Sequence, residues 1–305
     1  MAAKVFIDGE AGTTGLQIRD RLAVRSDIRL VRIDPDKRKD LKARIAAFAE
    51  ADIAILCLPD EAVREIVPEV ARLGCRLIDA STAHRVHPDW VFGFAELESG
   101  RRARIAAAKN VANPGCYSTG AIALIRPLRD AGLIGRDAKL AITAVSGYSG
   151  GGKAMIAEFE AGTAADYFLY AMAQKHKHVP EIMAYGGLAA RPVFVPAVGR
   201  FAQGMIVELP LHLAPGGGIA KAEAALRDHY AGQRFVSVVA AESYGGRIDP
   251  TRLNGTNRLE LSVHGDAESG AAVAIAVLDN LGKGASGAAV QNLNLMLGID
   301  EGTGL

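Results

Sequence analysis

The chain has 305 residues, half of them hydrophobic and 23% charged, with 35 basic side chains against 34 acidic ones. That balance supplies no field to draw nucleic acid or an anionic membrane surface, and the length suggests two domains with sizeable cores. Three cysteines in no metal-like spacing argue against a disulfide framework and a metal site, and no apolar run approaches a signal peptide or a membrane span, so a soluble cytoplasmic protein is expected.

Residues 4–9 form a short apolar run ending in glycine, which predicts a buried strand. Gly9-Glu10-Ala11-Gly12-Thr13-Thr14-Gly15 follows, then an amphipathic helix over 16–24. Strand, glycine-rich turn and helix is the setting in which a backbone can approach a pyrophosphate and a helix N-terminus can hold it. The spacing is GxxGxxG rather than GxGxxG, and a plain tight turn is the competing reading. Further strands are predicted over 28–34, 52–58 and 76–80, with helices over 39–50 and 60–73 between them. Alternation of this kind implies right-handed crossovers and a parallel sheet. Ligands bind such sheets at the carboxyl ends of the strands, here Gly9 to Gly15, residues 34–38, Pro59-Asp60 and residues 81–85. Asp34 suits a free ribose 2′-hydroxyl and hence NAD, whereas Lys37, Arg38, Lys39 and Arg32 suit a 2′-phosphate. The same basic run also reads as a solvated helix start. Arg85 can grip a phosphate or carboxylate in bidentate fashion, or simply form a surface ion pair.

The stretch Asn113-Pro114-Gly115-Cys116-Tyr117-Ser118-Thr119-Gly120 precedes an apolar helical run over 121–128. Pro114 and Gly115 make a sharp turn, so Cys116 lies at a helix N-terminus, where unpaired N–H groups and the helix dipole favour a thiolate. A buried cysteine acting as a small hydrophobe is the alternative. A strand over 139–145 leads into Ser146-Gly147-Tyr148-Ser149-Gly150-Gly151-Gly152-Lys153, too rich in glycine for a helix or strand and so expected to be a mobile or ligand-pressing loop. A helix is predicted over 164–175. It gives way to His176-Lys177-His178-Val179-Pro180-Glu181, which reads as an acid/base histidine with an orienting carboxylate, or as a solvated turn. A metal site is disfavoured because residues two apart do not share a helix face. The remainder predicts strands over 192–198, 205–213, 235–241, 258–264 and 271–277 with one helix over 218–230, an α+β arrangement. Small residues over 282–287 then open an apolar helix over 288–297.

Taken together, these motifs resemble the N-acetyl-γ-glutamyl-phosphate reductases of the shorter form, within the wider aspartate-semialdehyde dehydrogenase-like group. The resemblance spans nearly the whole chain and rests on the glycine loop, the Cys116 and His176 motifs, residues 146–150, and Asp279-Asn280-Leu281-Gly282-Lys283-Gly284-Ala285. It implies an α/β fold: a Rossmann-type domain over 1–115, completed by a C-terminal helix within 282–305, and a catalytic and oligomerisation domain over 116–281, as in glyceraldehyde-3-phosphate dehydrogenase-like enzymes. It also implies NADPH-dependent reduction of N-acetylglutamyl 5-phosphate to the 5-semialdehyde with release of phosphate, in arginine biosynthesis, by a homo-oligomer. Cys116 matches the family's nucleophile, His176 its acid/base and Glu181 the carboxylate of that motif. The cofactor ligands implied are Gly9, Gly12, Thr13, Thr14, Gly15, Lys37, Arg38, Pro59, Ser146, Gly147 and Asn280, with NADP(H) as the cofactor. Arg85 and Asn113 are candidates for the leaving phosphate and Arg200 for the α-carboxylate. An aspartate-semialdehyde dehydrogenase and a catalytically silent dinucleotide-binding regulator are the rival readings.

Overall fold

The computed structural model describes residues 2–305. These divide into two compact units. One runs to Ala95 and includes Gly100–Pro114 and Ala285–Leu305; the other comprises Glu96–Ser99 and Gly115–Gly284.

The first unit alternates strands and helices: β1 (Ala3–Asp8), α1 (Thr13–Ala23), β2 (Ile28–Val31), α2 (Leu41–Glu50), β3 (Ile53–Leu56), α3 (Asp60–Val70), β4 (Arg76–Asp79), β5 (Val91–Phe92), α4 (Arg101–Ala107) and β6 (Asn110–Ala112). All six strands pair in parallel, in the order β2-β1-β3-β4-β6-β5. Every residue of β3 is buried, as a central parallel strand covered on both faces requires. The C-terminal helix, Gly287–Leu297, belongs to this unit. Its Ala289, Val290, Leu293 and Met296 pack into one core with Val5, Ile7, Ile55 and Ile78. Leu293 is fully buried, and its truncation to alanine would remove about 2–5 kcal/mol of stability. Three further elements, β5, α4 and β6, have only two, seven and three residues and fall outside the predicted strands and helices.

The second unit begins with α5 (Cys116–Asp130) and continues through β7 (Ala141–Gly147), α6 (Gly152–Glu160), β8 (Tyr167–Leu169), α7 (Val179–Gly186), β9 (Val193–Gly199), β10 (Met205–His212), α8 (Gly218–His229), β11 (Val236–Val238), β12 (Leu259–Gly265) and β13 (Ala271–Leu278). Its mixed sheet has the order β11-β12-β13-β10-β7-β9-β8. Helix α5 packs on β10 and β13.

Two expectations are corrected here. The glycine-rich stretch after β7 is a 3-10 turn over Tyr148–Gly151 followed directly by α6. Backbone N–H groups of Gly147, Tyr148 and Ser149 donate to the carbonyls of Gly204, Phe201 and Ala202, so tertiary pairing overrides composition. Residues 164–175, expected as a helix, instead hold the edge strand β8, antiparallel to β9 through Phe168 opposite Val198. The aromatic run Tyr167-Phe168 suits a pleated edge, and pairing there outweighs the helix-forming alanines around it.

Candidate active site

At the carboxyl end of β1 the chain turns through Gly9, whose φ is +90°. A Cβ there would stand 2.4 Å from the carbonyl oxygen of Cys57, and one on Gly15 would stand 2.5 Å from the Gly9 carbonyl oxygen. Only glycine lets the turn close this tightly on β3. The Gly12 N–H donates to the Gly9 carbonyl at 3.0 Å, and Gly12 is the N-cap of α1. No acidic residue lies in the first turn of α1 and no side chain caps it, so Thr13 and Thr14 sit at the positive end of a helix suited to an anion. Beside the loop is a cavity of about 340 Å³ whose lining includes Gly9, Glu10, Arg32, Arg38, Lys39 and Arg44.

Four cationic side chains against two carboxylates, Asp8 and Glu10, line this cavity. Arg44 donates to Asp8 at 2.7 Å; burial nevertheless raises the Asp8 pKa, with the guanidinium opposing the rise. Asp34, the residue that suited a free 2′-hydroxyl, points its carboxylate elsewhere and accepts the Asp36 N–H at 3.1 Å. Arg38 lines the cavity, whereas Lys37 is exposed within the 3-10 turn Pro35–Lys37 and lies outside the lining. Pro59 is the N-cap of α3. The glycine cradle and the basic lining fit a phosphorylated dinucleotide. Asp8 and Arg44 were not singled out from the sequence; an acid closing a strand gives no signal until its partner 36 residues away is known.

Arg85 is buried in the first unit, its Nε donating to the Asn113 carbonyl at 3.0 Å and its Nη2 to the Ala80 carbonyl at 3.3 Å. The Asn113 side chain donates to the Ala285 carbonyl and accepts from Asn292, both at 3.0 Å. Both residues thus already hold the backbone of their own unit.

In the second unit Gly115 is the N-cap of α5 and Cys116 its first residue. Ser118 and Thr119 turn their hydroxyls back to the Gly115 carbonyl, each at 2.9 Å. The Gly115 N–H donates to Oε2 of Glu181, 3.3 Å away. Glu181 lies in the first turn of α7, and His176 and His178 precede that helix. Both histidines are buried, which excludes the solvated turn. The His176 ring stands edge-on to Tyr117 at 5.8 Å and to Phe194 at 5.0 Å. Its Nδ1 accepts the His178 N–H at 3.2 Å, so the neutral ring carries its proton on Nε2, which faces the Tyr170 hydroxyl at 3.3 Å. Burial raises the pKa of both Tyr117 and Tyr170, and negative charge on the nearby Cys116 sulfur would add to each rise. Cys116, Tyr117, Tyr170 and His176 therefore form one group. Tyr170 escaped the sequence reading because it fell inside the helix wrongly expected there.

Behind the cysteine lies the turn over 279–284. Asp279 is fully buried, accepting the Leu281 N–H at 2.9 Å and the Gly255 N–H at 2.8 Å. A Cβ on Gly284 would stand 2.8 Å from that of Cys116, so glycine alone lets this turn press on the nucleophile. Lys283 and Glu96 form a buried ion pair at 2.8 Å. Asn280 accepts the Gly204 N–H at 2.8 Å and donates to Ser149 Oγ at 3.0 Å. Ser146 donates to the Gly147 carbonyl at 3.0 Å. Arg200 is half-exposed, paired with Asp166 and donating to the Ala164 carbonyl at 2.8 Å. Among the described residues, no group of three or more potential metal ligands occurs.

Residues 116–280 match the family described as semialdehyde dehydrogenase, dimerisation domain, and residues 24–106 match semialdehyde dehydrogenase, NAD binding domain. N-acetyl-gamma-glutamyl-phosphate reductases of Brucella canis and Brucella abortus are each 54% identical to the chain over 309 residues, covering 98% of it and 100% of the relative. Among solved structures, aspartate semialdehyde dehydrogenase II of Vibrio cholerae, complexed with ASA, superposes with a TM-score of 0.74 at 18% identity, covering 97% of this chain and 98% of that one. The Candida albicans enzyme with NADP gives 0.68 at 15% identity, covering 97% and 99%. At such identities the structural likeness speaks for the α/β fold alone.

Proposed function

The chain belongs to the N-acetyl-gamma-glutamyl-phosphate reductase family, and on that footing we propose that it reduces N-acetylglutamyl 5-phosphate to N-acetylglutamate 5-semialdehyde, releasing phosphate, in arginine biosynthesis. The observation that carries the mechanism is Cys116 at the start of α5, grouped with His176 and Tyr170.

The Cys116 sulfur attacks the acyl carbon, the carbon–oxygen bond to phosphate breaks, and a thioester forms. NADPH, when bound, supplies the hydride that reduces this thioester. The resulting oxyanion collapses by expelling the sulfur, which leaves the aldehyde and restores Cys116. His176 carries its proton on Nε2 and gives it, as general acid, to the developing oxyanion. Amides of the first turn of α5 are the candidate oxyanion donors. Glu181 acts on the backbone: its bond to the Gly115 N–H fixes the residue before the nucleophile.

Gly9, Gly12, Thr13, Thr14 and Gly15 would hold the pyrophosphate, and Arg38 with Arg32, Lys39 and Arg44 the 2′-phosphate. Ser146, Gly147 and Asn280 would shape the nicotinamide end through the loop they brace. Arg85, Asn113 and Arg200 are proposed as ligands of the substrate's anionic groups. Each would add that role to the backbone or ion-pair contacts it already makes.

The protein is proposed to work as a cytoplasmic homo-oligomer, supported by the match to a dimerisation domain and by exposed Tyr167, Leu169, Met172 and Val193 around β8 and β9. Among the described residues, no helix is long and apolar enough to cross a membrane. The deciding experiment is phosphate-dependent oxidation of N-acetylglutamate semialdehyde, with NADP and NAD in parallel and aspartate semialdehyde as the rival substrate. Turnover with NADP and the acetylated substrate is expected; turnover of aspartate semialdehyde alone would overturn the assignment.

A further inference from the structure

We propose that Gln174 is the positioning residue for His176, acting through the segment that joins β8 to α7; the inference rests on His176 being the acid/base proposed above. After Tyr170, whose N–H donates to the Pro196 carbonyl, the main chain leaves the edge of β9. Phe194 lies further along that edge and is almost fully buried, so its backbone polar groups need partners that the departing strand no longer supplies. The Gln174 side chain supplies both. Its Nε2 donates to the Phe194 carbonyl at 3.0 Å, and its Oε1 accepts the Phe194 N–H at 2.9 Å. A side-chain amide thus continues the ladder of β8.

The backbone at Gln174 shows that this clamp has work to oppose. Gln174 has φ +58° and Ala171 φ +53°, the two non-glycine residues in the left-handed region among those described. Such a backbone is strained for a residue with a Cβ and persists only where its surroundings over-determine it. At Gln174 the determinants are the amide clamp, the Gln174 N–H donating to the Ala171 carbonyl at 3.0 Å, and Arg191 Nη2 donating to the Gln174 carbonyl at 2.5 Å. The same Phe194 whose backbone is clamped lays its ring against the edge of His176 at 5.0 Å and of Tyr117 at 5.4 Å. Gln174 is two residues from His176, whose Nδ1 in turn accepts the His178 N–H. Losing the clamp frees both the left-handed turn and the register of His176 on Phe194, while the Glu181 bond to the Gly115 N–H that braces the start of the Cys116 helix is kept.

Gln174→Met tests this in the full-length protein, since it keeps the side chain's length and removes both hydrogen bonds. The expected result is a kcat lowered roughly tenfold with KM for the semialdehyde within about twofold, because misplacing a proton-transfer group by a fraction of an ångström acts on the transition state. In a His176→Asn background the same change should lower kcat no further, because the clamp acts only through the imidazole. Gln174→Glu, which keeps the acceptor for the Phe194 N–H, should fall between Gln174→Met and the parent. A lowered Tm with kcat and its pH profile unmoved would overturn the proposal, as would losses that multiply with His176→Asn. The His176 ring resonances provide a readout without turnover. Their titration should shift in Gln174→Met, and an unshifted titration sinks the proposal even if the reductase assignment stands. A parent protein inactive on the acetylated substrate would sink that assignment alone.

Discussion

Helices α1 and α5 start in nearly the same way and are put to opposite uses. Each begins on a glycine in extended conformation, Gly12 at φ −74° and ψ 164°, Gly115 at φ −78° and ψ 156°; neither has a side-chain cap or an acidic residue in its first turn. Helix α2 differs from both, since Asp40 caps it from within by accepting the Ala43 N–H at 2.7 Å. The first turn of α1 presents small hydroxyl residues beside a basic cavity, an arrangement for holding an anion that arrives from outside. The first turn of α5 carries the reactive sulfur itself. It is braced by Glu181 on the N-cap amide and by Gly284 against the Cys116 Cβ. One helix start binds and the other reacts, and the difference lies in the residue at the first position and in what packs behind it.

Cys116→Ser breaks the comparison most severely. It should lower phosphate-dependent turnover by about a thousandfold or more while the affinity for NADP changes little, measured by steady-state kinetics and by cofactor fluorescence titration. Iodoacetamide near neutral pH should label the parent on Cys116 alone, as seen by peptide mass, because burial pushes the Cys57 and Cys75 thiols up to about 12. Gly9→Ala strikes the other helix start. The added Cβ meets the Cys57 carbonyl, and the left-handed backbone adds about 1 kcal/mol of strain. The Kd for NADP should rise roughly tenfold or more, with kcat at saturating cofactor within about threefold.

Arg38→Ala should lower the preference for NADP over NAD by roughly tenfold, read from the ratio of kcat/KM values, whereas Asp34→Ala should leave it nearly unchanged. The smallest effect separates the units by acid sensitivity. Burial lowers the His229 pKa below 6.5, where its Nε2 meets the Leu97 carbonyl at 3.0 Å. A group whose folded pKa is depressed contributes stability above its unfolded pKa and loses it as pH falls through the folded one. Stability should therefore decline below about pH 6.5, and His229→Gln should flatten that decline by on the order of 1–2 °C in Tm.

The parallel-sheet unit was legible in outline because its central strands are continuous apolar runs alternating with helices, a pattern encoded locally. Apolar runs such as Val5–Ile7 and Ile53–Leu56 bury themselves in any parallel sheet, and Pro114-Gly115 ahead of an apolar run makes a helix start in almost any setting. The cofactor choice was only half legible. Asp34 and the basic residues lie within a few positions of each other, and the folded turn alone shows that Asp34 bonds to Asp36 while Arg38 lines the cavity. Residues 148–175 were misread because there the local signals are weak: glycines that fit any backbone, and alanines and aromatics that pairing with Ala197–Gly199 draws into a strand.

What the order of amino acids determined by itself was the alternation of strands and helices in the first unit and the placing of a cysteine at the head of α5. Both follow from interactions spanning a few residues. Tertiary structure alone decided which groups surround that sulfur. The Glu181 carboxylate on Gly115, the Gln174 clamp on Phe194 and the turn that brings Gly284 against Cys116 are contacts between residues 20 to 168 positions apart. Such contacts form only once the mixed sheet has closed, because the free energy that holds them comes from burial of the whole unit and not from the segments they join.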